Sequence, residues 1–121
     1  MNPQVGGVSI HVVDVSRGVV ASGMRVEVIA CLATPTRVAS GTVNARGVLD
    51  DPGLMSAAMQ PGYYDAIFHV ADYYRAAGVP LPDLPFLDVV TYRFAIGDAR
   101  AHYHLPMKLT PWGYSCFRGG A

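Results

Sequence analysis

Hydrophobic and polar residues alternate with a period of two over much of this chain, and the points where the alternation starts and stops predict its elements. Val8, Ile10 and Val12 alternate with Ser9, His11 and Val13, the pattern of a strand with one buried face. A loop with Gly18 and Gly23 follows. From Met24 to Leu32, Val26, Val28, Ala30 and Leu32 share one side and Arg25 and Glu27 the other, which predicts a second strand. Pro35 turns the chain, Thr36 to Val43 reads as a third strand, and the Asn44-Ala45-Arg46-Gly47 turn ends it as a hairpin. Between Asp50 and Gly62, Pro52, Gly53, Pro61 and two methionines indicate a loop with at most one short strand.

Tyr64, Ala66, Phe68 and Val70 face one way and Tyr63, Asp65, Ile67 and His69 the other, a fourth clear strand. Ala71 to Ala77 holds good helix formers and stops at Gly78, predicting one short helix. Pro80, Pro82 and Pro85 impose an extended, irregular connection. Phe86 to Ile96 is the longest predicted strand, and Ala101 to Leu109 with Trp112 to Arg118 make a last pair. Seven or eight strands at this spacing with one helix indicate an all-β fold, an antiparallel β-sandwich. Residues 1–7, with Pro3, Gly6 and Gly7, read as a flexible arm before a domain over residues 8–121.

The 121 residues carry nine basic and nine acidic side chains, so the net charge is zero with the histidines neutral. No electrostatic binding of nucleic acid or of an anionic membrane is expected. Charged types make up 15%, against roughly 25% in an average soluble domain. An isolated monomer so poor in charge exposes apolar patches, which predicts a homo-oligomer. The uncharged stretches fall short of the roughly 18 apolar residues of a membrane helix, and no charged segment precedes an apolar one as in a signal peptide. The reading is a soluble, cytoplasmic protein. Cys31 and Cys116 are far apart and form no CxxC pair, so both are expected as buried, reduced thiols.

Candidate chemistry lies in polar residues that the alternation does not need. His11 falls on the outward phase of its strand, and His102 and His104, two apart, share a face. A His-x-His pair with a third histidine resembles part of a zinc site, but no fourth ligand or carboxylate motif accompanies it, so no metal is expected. The plain reading of each histidine is a hydrogen-bonded surface or core residue. Two converging imidazoles suit general acid–base chemistry near neutral pH. No P-loop, GxGxxG, GxSxG or HExxH motif occurs, and no cofactor is expected. Nothing beyond its presence marks Cys116 as a nucleophile, and Arg118, near the glycine-ended tail, is either an anion ligand or simply solvated.

Three segments go further. The tail YHLPMKLTPWGYSCFRGGA resembles the C-terminal signature of the transthyretin-like family, whose enzyme members are 5-hydroxyisourate hydrolases ending in Tyr-Arg-Gly-Ser. SIHVVDVSRGVVASGMRVEV is similar to the family's first signature, and GYYDAIFHVADYYRAAG to its strand-plus-helix segment. The resemblance implies two four-stranded sheets with one short helix, and a homotetramer, a dimer of dimers, with active sites in the channel where dimers meet. It implies hydrolysis of the cyclic ureide 5-hydroxyisourate in urate breakdown, with His11 and His104 matching the two family histidines.

The departures concern the substrate. Aligning on Gly47 puts Val48 where the family carries an arginine, with Arg46 adjacent. Phe117 replaces the tyrosine of the tail motif and Gly120 its serine, while Arg118 and Gly119 are retained. Each lost hydrogen bond to a substrate is worth about 0.5–1.5 kcal/mol, or about 1.5–3 to a charged group. Two alternatives therefore stand beside the ureide hydrolase: an enzyme acting on a less polar cyclic metabolite, and a small-molecule binding protein without catalysis.

Overall fold

The computed structural model describes residues 6–120. Eight strands, β1 (Val8–Asp14), β2 (Val19–Val20), β3 (Arg25–Ala30), β4 (Thr36–Thr42), β5 (Gly62–His69), β6 (Val89–Ile96), β7 (Tyr103–Thr110) and β8 (Gly113–Cys116), make two four-stranded sheets, ordered β2-β1-β7-β8 and β4-β3-β5-β6. The sheets are held face to face by the alternating residues. Val8, Ile10 and Val12 of β1 and Leu105, Met107 and Leu109 of β7 meet Val26 and Val28 of β3 and Tyr64, Ala66 and Phe68 of β5 in one core. Burying each of the larger of these contributes about 1.5–3 kcal/mol. The expected all-β sandwich of two four-stranded sheets with one short helix is the fold that forms.

The sandwich is not antiparallel throughout. β1 and β7 run parallel, from Val8 opposite Tyr103 to Asp14 opposite Leu109. Side-chain alternation is the same in either pairing, so the residue pattern carries no strand direction. The loop expected after β1 contains β2, whose Val19 and Val20 pair back onto Asp14 and Val13. Within Asp50–Gly62 a 3-10 turn spans Pro52–Met55, capped by Asp51, whose carboxylate accepts from the Gly53 and Ser40 amides. The strand expected from Phe86 begins only at Val89. Cys31 and Cys116, expected as buried, are half-buried free thiols. Of the expected arm, residues 1–5 lie outside the described residues, whereas Gly6 and Gly7 are tied down: the Gly6 amide donates to the Arg100 carbonyl (2.8 Å) and Gly7 accepts from the Tyr103 amide (3.0 Å).

The helix α1 (Val70–Ala76) starts one residue earlier than expected and buries Val70, Ala71, Tyr73 and Tyr74. Gly78, at φ +82°, closes it by donating to the Arg75 carbonyl. The buried tyrosines fasten α1 to the end of β1. The Asp14 carboxylate, wholly buried, accepts from Tyr74 (2.8 Å), Tyr73 (2.9 Å) and Ser16 (2.7 Å) hydroxyls. No helix among the described residues is long and apolar enough to cross a membrane.

Candidate active site

Between the buried residues of β1 and β7, Ser9, His11 and Val13 and His104, Pro106 and Lys108 turn outward on the face of the first sheet. The parallel register places Ser9 opposite His104 and His11 opposite Pro106. Both histidines singled out as an acid–base pair thus project from one face. Two further bridges frame them, Val48 with His11 and Gly119 with His104.

His11 is oriented by the turn after β4. Asn44 accepts the Arg46 amide (2.9 Å) and the Val48 amide (3.1 Å) on its side-chain oxygen, which folds the turn so that the Arg46 carbonyl receives His11 Nε2 (3.2 Å). Gly47 makes this approach possible. Its φ is +83°, and a Cβ there would lie 2.8 Å from both His11 Nε2 and Val20 Cγ1. Gly47→Ala is therefore expected to cost about 1–3 kcal/mol from backbone strain. It also displaces the imidazole. A thermal melt that does not move would contradict this packing.

His104 is held differently. Its Nδ1 lies 2.6 Å from Ser9 Oγ, and the same hydroxyl lies 2.9 Å from His102 Nε2, while His102 Nδ1 donates to the Gly6 carbonyl at 3.0 Å. Burial, then the neighbouring His11 and His102, hold the His104 imidazole below the usual value of 6.5, which favours its neutral form. Ser9 was missed by the sequence reading, although it shares the strand phase of His11. His102 was paired with His104 by spacing, and the structure adds that the two meet on one serine.

The remaining candidates are spread along the rim. The Arg46 side chain is exposed and makes no hydrogen bond among the described residues, and Val48 is half-buried beside His11. The tail returns along β7 through the Gly119 amide, which donates to the His104 carbonyl (2.8 Å). A Cβ on Gly119 would lie 2.7 Å from Pro106 Cγ, so only glycine fits this closely. Phe117 is exposed, with the Lys108 ammonium 6.0 Å from its ring centre. The Arg118 guanidinium stacks on the Tyr103 ring at 4.1 Å and donates to the His102 carbonyl (3.4 Å), so within one chain it fastens the tail. Gly120 is exposed at φ +56°. No group of three or more metal-ligating side chains converges among the described residues. Burial pushes the Cys116 thiol up to about 11, leaving it a poor nucleophile.

The histidine face is open. A cavity of about 500 Å³ lies instead beside α1, lined by Arg17, Val20, Arg25 and Tyr73 among others, and holds none of the histidines. The two outer faces also differ in charge. Glu27 and Asp65 pair with Arg25, Arg37, His69 and Arg93 on the second sheet. On the first, Lys108 is the one charged residue of β1, β2, β7 and β8 turned outward among the described residues.

The chain is 43% identical over 114 residues to the 5-hydroxyisourate hydrolase of Deinococcus radiodurans, covering 93% of this chain and 95% of that protein. It is 42% identical over 118 residues to the 5-hydroxyisourate hydrolase of Ralstonia nicotianae, covering 95% and 99%. Among solved structures, the Klebsiella pneumoniae 5-hydroxyisourate hydrolase superposes with a TM-score of 0.77 at 27% identity, over 95% of this chain and 99% of that one. An (S)-allantoin synthase gives 0.88 at 29% identity, over 96% of this chain but 44% of its own. The pattern of the HIUase/Transthyretin family runs over residues 8–119, from the first residue of β1 to the glycine bridged to His104. On that match, and on relatives alike over almost their whole length, the chain belongs to the HIUase/Transthyretin family.

Proposed function

We propose that this protein is a hydrolase that opens the ring of 5-hydroxyisourate, with His11 and His104 as its catalytic pair. The observation that carries the reading is the placing of these two imidazoles on one face by the β1–β7 register, one of them held in the neutral form. The names of the relatives supply the substrate. One imidazole takes a proton from water as the oxygen attacks a ring carbonyl; the other polarises that carbonyl or protonates the departing nitrogen. Arg46 and Val48 beside His11, and Phe117, Arg118 and Gly120 in the tail, form the substrate-binding rim.

A homotetramer, built as a dimer of dimers, completes the site in this reading. The charge-poor histidine face needs a cover to exclude water, and a second copy supplies one. β6 and β8 each end a sheet, leaving edges where strands of another copy can pair. Light scattering of the purified protein is expected to give four chains; a stable monomer that turns over substrate would remove the channel. The half-buried free thiols suit a cytoplasmic setting.

The test of the activity is direct. Freshly generated 5-hydroxyisourate is expected to lose its ultraviolet absorbance faster with the protein than without it, and no acceleration at micromolar protein sinks the proposal. Val48, with Val13, Val20 and Pro106, gives His11 an apolar setting that favours a less polar ring; turnover of such a cyclic amide without turnover of the ureide would carry that second reading. If the ureide is the substrate, Val48→Arg adds a charged donor beside His11. The expected result is a kcat/KM higher by about tenfold or more. An unchanged or lower value would mean that residue 48 does not face the substrate.

A further inference from the structure

The hydrogen bonds around Ser9 determine where the proton on His104 resides. A carbonyl only accepts, so the contact between His102 Nδ1 and the Gly6 oxygen requires the hydrogen on Nδ1. Neutral His102 then has a bare Nε2, and its bond to Ser9 forms only if the hydroxyl donates. That spends the single hydrogen of Ser9. Its oxygen is left to accept, so His104 must donate from Nδ1 across the 2.6 Å contact. With both imidazoles neutral, no other assignment satisfies all three bonds. His104 Nε2 therefore carries a lone pair, and it makes no hydrogen bond among the described residues.

We infer that Ser9 and His102 are positioning residues that fix His104 in the Nδ1–H tautomer and so make His104 Nε2 the general base of the site. This deepens the hydrolase reading and rests on it for the word base; the tautomer itself does not. In the reaction, one O–H bond of water breaks, its hydrogen passes to His104 Nε2 and the oxygen bonds to the ring carbonyl carbon. The C–N bond then breaks, the nitrogen takes the hydrogen from Nε2, and the new carboxylic acid releases its own proton to solvent. The chain Gly6–His102–Ser9–His104 holds Nδ1–H in place throughout, as the partner of a catalytic imidazole fixes its tautomer.

Long-range proton–nitrogen spectra of histidine-15N-labelled protein read the tautomer without any substrate. The wild type is expected to show His104 with the proton on Nδ1. Ser9→Ala is expected to shift it towards Nε2 and to lower kcat roughly tenfold or more with KM within about twofold, and Ser9→Thr, which keeps the hydroxyl, to restore both. His102→Phe, at an exposed position, is a second route should Ser9→Ala not fold: the freed Ser9 hydroxyl then donates to His104 Nδ1 and the proton moves to Nε2. A wild-type His104 with its proton on Nε2, or a tautomer unmoved by either variant, overturns the relay. A correct tautomer in a protein inactive on 5-hydroxyisourate overturns the proposed reaction instead.

Discussion

His104→Ala is expected to lower kcat on 5-hydroxyisourate by about 10²–10⁴-fold, the usual contribution of a positioned acid–base group. His104 is half-buried on a sheet face rather than in the core, so the variant is expected to fold, and the loss belongs to chemistry. The pH profile gives the same test without a mutation. As the proposed base, His104 would act only when neutral, and its pKa lies below 6.5 because burial and then His11 and His102 disfavour the charged form. Activity should rise with pH through that lowered value and level off above it. A kcat/KM profile still climbing well above pH 6.5, or full activity in His104→Ala, would remove this histidine from the mechanism and leave the family assignment untouched.

The largest effect on stability is expected at Asp14. Removing its buried carboxylate with Asp14→Ala leaves the hydroxyls of Tyr73 and Tyr74 without the acceptor that now receives both, at a cost of about 3–5 kcal/mol. For a chain of this length that corresponds to a fall in Tm of about 12–20 °C at fixed protein concentration. Burial by itself raises the Asp14 pKa. The Ser16, Tyr74 and Tyr73 hydroxyls and the Arg17 amide outweigh it, and the net shift is below 3.8. A carboxylate lowered on folding stabilises fully above its unfolded pKa, and that stability is lost as the pH falls through the folded value. In the variant this contribution to acid unfolding disappears. A melt within about 2 °C of wild type would show that α1 is not held by this cluster.

The sequence made some of this legible and hid the rest for physical reasons. Val8, Ile10 and Val12, like Tyr64, Ala66 and Phe68, identify their strands because burial acts on each residue separately. The outward phase of His11 follows from its neighbours in the same way. Ser9 belongs to the same phase, but its role depends on His102 and His104, more than ninety positions away, and on a parallel pairing that alternation does not encode. Arg118 illustrates a different limit. The sequence left it as an anion ligand or a solvated charge, and could not show the Tyr103 ring on which its guanidinium stacks within the same chain. Val19 and Val20 form a strand too short to show a period.

The parallel pairing of β1 with β7 also sets when the site can come into being. Ser9 and His104 are 95 positions apart, and Gly119, bridged to His104, comes later still. Contacts so distant in sequence close slowly. During synthesis β1 leaves the ribosome well before β7, and its unpaired edge is open to wrong partners until β7 follows. A nascent chain is consequently inert until β7 has emerged, and any truncation that removes β7 removes β1's partner in the site along with it.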